Sequence, residues 1–578
     1  MGSSSASIFK DGKCIAAVEE ERLTRIKNDG AFPIESIKEC LKIANLKLQD
    51  VDAINIYWKP WKIKKRSIGV IKKVFTSKLA ALNILQKLFQ HIFLKKDDDY
   101  PENNGKWIDL FFTKKILKKN FGQFNAKILF FDHHLTHQIY AETIRKWNNS
   151  IILSYDGGGE EYSTVLSLRK EDKLINIKKF SWPNSLGHFY SFFTGYLGFK
   201  MQEGEYKMMG LAPYGEPVYK DVLLKKIIFL RKNGEYKINL KLCDYHSALR
   251  NKFNKELHDF LPRNLKKNEK PSQDHINLAS SVQHVFELTQ IHILKHIKNI
   301  YPTHKKLVIT GGCGLNVTAN GKVLQTKMFD EVIVPPAPHD AGCAVGSNLA
   351  FYSTKKIIKN INISSPYLGS SYTNVEIKKA FLDLNLIVPK KLKTENDVVD
   401  NAAKVLSEGN VIAWFQGKHE FGPRALGSRS FLADPRKDSI REVINKKIKK
   451  RELFRPFAPS TILEKSNDYF DLNQESPYMN MVANVKENMK KIIPAVTHID
   501  GTARVHTVTE KSNQIYYKLI KKFGTYTNVF VLLNTSFNIQ EPIVYSPKDA
   551  IKTFLKSDVD YMFIGNYMCD INWRKKNN

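Results

Sequence analysis

Histidine and aspartate carry the first chemistry in this chain. In the run DHHLTH, His133 and His137 stand four residues apart at the start of a predicted helix. That spacing puts both imidazoles on one face, the arrangement of a two-histidine metal site. Asp156 ends the next apolar run, SIILSYD, where a turn would return it to the histidine pair. Gly157, Gly158 and Gly159 follow it and leave room for a ligand. Asp340 lies in a corresponding turn, PHDAG, much further along. Two histidines with two aspartates suit iron, manganese or zinc better than calcium or a thiophilic ion. The competing reading is structural: paired histidines on a helix, and aspartates that cap helices.

A second group is cationic. HEFGPRALGSRSFLADPR places Arg424 and Arg429 in a loop after an apolar run. KKRELFRPFAP adds Lys449, Arg451 and Arg455, and HIDGTARVHTV adds Arg504. These side chains sit among glycines, prolines and aromatics, not in a solvated lysine run. Guanidinium in such surroundings suits a bidentate grip on phosphate or carboxylate. LLNTSFN then offers Asn534, Ser536 and Asn538 at the end of a predicted strand. The alternative for each arginine is a surface salt bridge, for which few acids are nearby.

The elements that must position these groups follow from the hydropathy pattern. SASIFKDGKCIAAVEEERLTR predicts two short strands joined at Asp11-Gly12. A helix is expected from Pro33 through Leu48 and a strand at VDAINIYW. Residues 62–96 alternate lysine with apolar residues, as a basic amphipathic surface helix does, and 97–105 reads as a loop. From residue 127 the pattern becomes α/β: KILFFDHH and SIILSYD are buried strands, with LTHQIYAETIRKW a helix between them. KLVITGGCGLNVTANGKVL and EVIVPPAPHDAGCAVGSNLAFY each read as strand, turn, helix. A strand entering a glycine turn before a helix presents backbone N–H groups to an anion or nucleotide. Three such turns suggest an actin-like nucleotide fold of two related halves. The pattern breaks between 355 and 395, and a new α/β unit with strands VIAWFQG and TNVFVLLNTSFN follows.

Composition bounds the rest. A chain of 578 residues is too long for one core, and 42% hydrophobic content excludes wholesale disorder. Lys and Arg number 90 against 58 Asp and Glu, a net charge of +32. That charge suits a polyanionic partner, nucleic acid or anionic membrane, but its spread along the chain fits a lysine-rich surface better. No apolar run reaches the roughly 18 residues of a membrane span. Six scattered cysteines without CxxC fit a reducing cytoplasm, and the opening MGSSSASIFKDGK lacks a secretory pattern.

Taken in order, EEERLTRIKNDGAFP, HHLTH, DGGGE, EGEYKMMGLAPYG, GGCGLN, PHDAG, EFGPRALGSRSFLADPR, KKRELFRPFAPS, VTHIDGTARVHTV and LNTSFNIQEPIV resemble the O-carbamoyltransferases that decorate antibiotics, nodulation factors and toxins. The resemblance covers nearly the whole chain. It implies an actin-like two-lobed carbamoyl-transfer domain at 1–360 and a smaller α/β domain at 361–578, similar to threonylcarbamoyl-adenylate synthase. The smaller domain would form carbamoyl-adenylate from carbamoyl phosphate and ATP. By resemblance Lys449, Arg451, Ser536 and Asn538 are catalytic there, and Arg424, Arg429, Arg455, Arg504 and Asn534 hold phosphates. In the larger domain one divalent metal, iron first and manganese or zinc as alternatives, would sit on His133, His137, Asp156 and Asp340. Gly158, Gly159, Lys207, Gly311, Gly312 and Asn316 fall in strings that line its nucleotide site. The acceptor would be a hydroxyl of a small molecule or glycan; a homodimer is compatible, and nucleic acid is not an expected partner.

The resembled family opens with a strand and a His-Asp-Ser-Ser-Ala turn. Here Gly2 and Ser3 stand where His and Asp would be, so transfer is expected to suffer more than adenylation. Gly314 replaces the family's usual alanine in GGCGLN, with little effect expected. Two competing functions are a threonylcarbamoyl-transferring tRNA-modifying enzyme and a non-transferring homologue. The first would show a steep salt dependence of tRNA binding.

Overall fold

In the computed structural model, which describes residues 3–63, 105, 107–171, 173–245, 253–355 and 361–577, Asp11 and Gly12 take φ of 48° and 78°. Two consecutive left-handed residues match the twist of a tight hairpin, so β1 (Ser5–Lys10) turns directly into β2 (Lys13–Glu19). The next helix runs Ile34–Ala44 and stops short of the expected Leu48, because Asn45 takes a left-handed capping conformation and its N–H closes onto Leu41 and Lys42 carbonyls. β3 (Ala53–Tyr57) pairs in parallel with β4 (Lys127–Phe131). Apart from Lys62 and Ile63, the basic stretch 62–96 lies outside the described residues, as does all of the loop at 97–105 but Gly105.

A five-stranded sheet follows. Its order is β11-β10-β5-β6-β7, with β5 (Asn149–Tyr155), β6 (Tyr162–Lys170), β7 (Lys173–Ser181), β10 (Lys306–Thr310) and β11 (Glu331–Ile333). β8 (Ile228–Arg231) and β9 (Glu235–Ile238) form a separate hairpin. β5, β6 and β7 make an antiparallel meander, and β10 and β11 extend it in parallel. The central strand β5 is buried from Ser150 to Tyr155, as its unbroken apolar run demands.

The C-terminal sheet has eight strands in the order β12-β21-β20-β13-β14-β19-β15-β18. They are β12 (Lys390–Lys391), β13 (Ile412–Phe415), β14 (Arg429–Ala433), β15 (Ala458–Ile462), β18 (His506–Val508), β19 (Val531–Ser536), β20 (Tyr561–Ile564) and β21 (Tyr567–Cys569). β16 (Val482–Asn484) and β17 (Thr502–Arg504) pair beside it as a two-stranded sheet. Trp414, Leu432, Leu532 and Phe563 pack against helices Glu395–Ser407 and Gln514–Thr527 in one buried core.

Two compact units result: Met1–Ile15 with Asn28–Ser364, and Ala16–Lys27 with Ser365–Asn578. A single cut near 360 therefore misses one exchange, since Ala16–Lys27 packs with the C-terminal part. Arg22 explains the exchange. It is 3% exposed, pairs with Glu19 at 2.6 Å and donates to the Gly422 carbonyl at 2.9 Å. A buried guanidinium needs all of these partners, and they lie in that unit. Arg25 and Lys27 add donations to Ile543 and Gln540 carbonyls.

Candidate functional site

The histidine–aspartate group forms where parallel strands end. Ser154 of β5 lies beside Thr310 of β10, and β11 runs parallel beyond. Their carboxyl ends share one edge, the edge at which open α/β sheets hold ligands. Asp156 follows β5, Gly311 and Gly312 follow β10, and the Asp340 loop follows β11. The Gly311 N–H donates to the Pro338 carbonyl at 2.8 Å and ties that loop in. Gly311 has φ 88°, and a Cβ there would lie 2.1 Å from the Tyr155 carbonyl oxygen, so no other residue fits. Asp156 accepts N–H groups from Gly157 and, at 2.9 Å, Gly312.

The histidines arrive on helix His133–Glu142. This helix starts two residues before the expected LTHQ run, because Asp132 is extended and the Glu160 carboxylate accepts the His133 N–H at 3.3 Å. The two Nε2 atoms are 3.2 Å apart. Asp156 Oδ2 lies 3.3 Å from His137 Nε2 and 3.7 Å from His133 Nε2; Asp340 Oδ1 lies 3.7 and 3.8 Å from them. Burial opposes charge on Asp156, but hydrogen bonds from and charge on His133 and His137 prevail and hold it well below the usual carboxylate range. Burial likewise opposes a charged His137, and Cys343, Asp156 and Asp340 outweigh it, raising His137 well above its ordinary value. The pocket demands positive charge, from imidazolium or from a cation.

Two imidazole nitrogens and two carboxylate oxygens within 4.8 Å of one another fit a divalent cation. One contact must yield. The Trp58 indole N–H donates to His133 Nδ1 at 3.0 Å, so a neutral His133 keeps its proton on Nε2, the atom that would ligate. Trp58 holds φ 91°, a conformation a bulky residue adopts only where its surroundings impose it. His137 is freer: its Nδ1 has no partner among the described residues. Sequence reasoning missed Trp58 and also Cys343, whose sulfur groups with the same two imidazoles.

The remaining residues of this unit divide by role. A Cβ on Gly159 would sit 3.1 Å from the His133 ring, and one on Gly158 would sit 2.6 Å from Trp182, so both keep the turn close to the pair. Asn316 exchanges amide hydrogen bonds with Gln283 at 3.0 Å each and accepts the Ala319 N–H, which makes it a helix cap. Lys207 lies on helix Glu205–Leu211 with its ammonium 5.8 Å from the Phe199 ring centre.

In the C-terminal unit the sheet register gathers the cationic group. Phe415 pairs with Arg429, Ser430 with Ser536, Ala458 with Asn534, and Ser460 with His506. The loop after β13, the segment before β15, the loop after β19 and the end of β17 therefore meet at one edge. They carry Arg424, Lys449–Arg455, Asn538 and Arg504. Lys449 is 1% exposed, and its ammonium donates to the Ser536 carbonyl, to the Asn538 carbonyl and side-chain oxygen at 2.7 Å each, and toward the Ser536 hydroxyl at 3.3 Å. The Ser536 hydroxyl in turn donates to Asn538 Oδ1 at 2.7 Å. Burial, then Arg451, Arg455 and Lys27, push Lys449 well below its ordinary value, with Glu541 opposing. Burial, then Arg424, Arg451 and Arg455, do the same to Arg504, and burial brings Arg424 down to about 10. Arg451 donates to Asn445 at 2.7 Å, and Arg455 has Glu452 at 3.6 Å.

Arg429 and Asn534 face other tasks. Arg429 is fully buried over the Phe415 ring and donates to the carbonyls of Gln416 at 2.9 Å, Ser428 at 3.0 Å and Gly417 at 3.2 Å. It braces the loop and does not join the four clustered arginines. Asn534 donates to the Ala425 carbonyl at 3.1 Å, which fixes the residue after Arg424. Glu420, unnoticed in the sequence, accepts the N–H groups of Leu426, Ser428 and Arg429 and staples the same loop.

Family models match both parts of the chain: the carbamoyltransferase N-terminus over residues 2–349 and the carbamoyltransferase C-terminus over 403–570. The chain belongs to the carbamoyltransferase family. It is thus an enzyme that transfers carbamoyl groups. Nodulation protein NolNO of Sinorhizobium fredii is 35% identical over 98% of this chain and 79% of its own length. An uncharacterized protein of Synechocystis is 34% identical over 98% of this chain and 94% of its own. The 3'-hydroxymethylcephem-O-carbamoyltransferase of Streptomyces clavuligerus is 31% identical over 46% and 49%. Among solved structures, phosphate- and nucleotide-bound HypF aligns at 20% identity over 31% of this chain and 22% of its own, with a TM-score of 0.22. No helix of the described residues is long and apolar enough to cross a membrane.

Proposed function

We propose that this carbamoyltransferase activates carbamoyl phosphate with ATP and delivers the carbamoyl group to a hydroxyl of a small molecule or glycan. The observation that carries the reading is the convergence of Lys449, Arg424, Arg451, Arg455 and Arg504 beside Ser536 and Asn538. Burial and the neighbouring arginines both oppose the charge on Lys449 and Arg504, so an anion there would stabilise them, and two polyanionic substrates must be held together. Activation breaks the Pα–O–Pβ bond of ATP and releases pyrophosphate. The phosphate of carbamoyl phosphate also leaves, a water supplies the missing oxygen, and carbamoyl-adenylate remains. Lys449 and the arginines offset the charge of both leaving groups. Ser536 and Asn538, locked by Lys449, orient the reacting carboxyl oxygen. We assign this step to Ser365–Asn578 together with Ala16–Lys27.

Transfer is assigned to the other unit. Its sheet order, an antiparallel meander flanked by two parallel strands, supports the actin-like reading of that part. His133, His137, Asp156 and Asp340 would hold a divalent ion, which would supply a counter-charge for an adenylate phosphate. The Gly157–Gly159 and Gly311–Gly312 turns keep backbone close to that phosphate. The acceptor oxygen attacks the carbamoyl carbon, AMP leaves, and the hydroxyl proton passes to solvent. The likeness to an O-carbamoyltransferase of a cephem supports the hydroxyl acceptor. ATP–pyrophosphate exchange with and without carbamoyl phosphate tests the scheme. Exchange that depends on carbamoyl phosphate is expected; exchange indifferent to it would overturn the adenylate.

A further inference from the structure

The histidine pair has two sets of neighbours. His133 and His137 group with Asp156 and Asp340, and the same two imidazoles group with the sulfur of Cys343. Cys343 is fully buried near the start of helix Gly342–Thr354, one turn after Asp340, whose carbonyl accepts its N–H at 2.9 Å.

Small residues bring this sulfur to the site. A Cβ on Gly346 would lie 2.0 Å from the Thr136 carbonyl oxygen, and one on Gly342 would lie 2.7 Å from the Tyr140 ring. Glycine on both sides of Cys343 lets its helix press backbone-first onto helix His133–Glu142. The cysteine between them then meets the imidazoles. A sulfur placed only to fill space needs no such approach, since an alanine or valine on a more distant helix would serve.

The need for another donor is local. The Trp58 indole N–H holds His133 Nδ1, so a neutral His133 carries its proton on Nε2 while that hydrogen bond lasts, and a donor beside the two imidazoles can bind an ion before that contact yields. We infer that Cys343 is a ligand of the metal centre, so that a divalent ion there is bound through nitrogen, oxygen and sulfur. This rests on the reading of the histidine–aspartate group as a metal centre. Binding displaces the thiol proton to solvent and forms a metal–thiolate bond with no change of oxidation state. A sulfur ligand shifts preference toward zinc, iron or cobalt and away from manganese or magnesium.

Cobalt(II) tests this without any assay of turnover. The full chain is loaded with Co²⁺ alone, and its absorption is compared with that of Cys343→Ser, Cys343→Ala and His137→Ala. A thiolate-to-cobalt charge-transfer band in the near ultraviolet is expected in the unmodified protein. Both Cys343 variants should lose it, keep the weaker visible bands, and bind cobalt about tenfold less tightly or worse. Tightly bound cobalt without that band in the unmodified protein, or a band that survives Cys343→Ser, overturns the sulfur ligand alone. Undiminished cobalt binding by His137→Ala, or no cobalt binding by the unmodified protein, overturns the centre itself.

Discussion

The two candidate sites have opposite electrostatics. At the end of the five-stranded sheet, two carboxylates face two imidazoles, and the balance draws His137 up and Asp156 down. At the edge of the eight-stranded sheet, burial draws Lys449, Arg504 and Arg424 down, the neighbouring arginines add to it for Lys449 and Arg504, and Glu541 opposes it for Lys449. The first pocket is complementary to a cation and the second to an anion. Both use backbone to set charge in place: strand ends and glycine turns in one, carbonyls and a glutamate staple in the other. The lesson is that charge of one sign gathered at one edge says more about the ligand than the count of charges does. The net +32 of the whole chain said far less than five cations at one edge.

The sharpest way to break the comparison is to remove the central cation. Lys449→Ala should lower carbamoyl-phosphate-dependent pyrophosphate exchange by about a hundredfold to a thousandfold, the usual cost of a preorganised charged donor. His137→Ala should leave that exchange within about twofold while abolishing carbamoyl transfer. Equal loss of exchange in both variants would show that the sites are not separate in function.

Metal content gives the converse test. His137→Ala and Asp156→Asn should each lose bound divalent metal on dialysis, as read by elemental analysis, while Lys449→Ala keeps it. Asp156→Asn should also cost about 3 kcal/mol of stability, because it strips a buried partner from two imidazoles.

Arg429 separates bracing from binding. Arg429→Met should destabilise the C-terminal unit by about 2–3 kcal/mol and lower its melting temperature by several degrees, since it takes the donor from the buried carbonyls of Gln416, Ser428 and Ser370. The KM for ATP in exchange should stay within about twofold, an outcome that distinguishes it from Arg424→Met. A large KM change with unaltered melting would return Arg429 to the substrate.

The depressed Lys449 makes anion binding pH-dependent. Below its lowered pKa the ammonium is present and binds phosphate; as pH rises through that value the charge, and with it the affinity, is lost. A bound anion raises the pKa again, so binding at the alkaline end must take up protons. Calorimetric titration of phosphate in two buffers of different ionisation enthalpy reads that uptake directly, and Lys449→Arg should flatten the profile. The smallest effect belongs to Trp58→Phe. Removing its hydrogen bond frees His133 Nδ1 and should tighten Co²⁺ binding by about fivefold, the worth of one net hydrogen bond. Weaker cobalt binding in that variant would mean that Trp58 aids the metal-ready ring.

Much of both sites was visible in the linear pattern. The i, i+4 spacing of His133 and His137 on a helix leaves no choice about their shared face, and Asp156 at the end of an apolar strand has to sit at a sheet edge. The cationic strings around Arg424, Lys449 and Arg504 stood out by their aromatic and glycine context. Arg429 shows the limit: it shares one string with Arg424 and looks the same in sequence, yet its strand position turns it toward carbonyls. Asn316 likewise sits in a glycine turn but spends its amide on Gln283 and a helix end. Trp58, Cys343 and Glu420 were missed because each acts on a residue distant in the chain, and no local spacing marks such a contact.

Sequence alone determined the strands, the glycine turns, the helix that pairs the histidines and the family to which the chain belongs. Those depend on period, φ preference and motif, which are properties of short segments. Tertiary structure decided that Ala16–Lys27 serves the C-terminal unit, which arginine braces and which clusters, and which nitrogen of His133 meets the Trp58 indole. Those depend on which carbonyl, ring or carboxylate meets a buried polar group. A buried polar group must be satisfied by whatever the fold brings to it, and that partner is chosen by sheet register and helix packing.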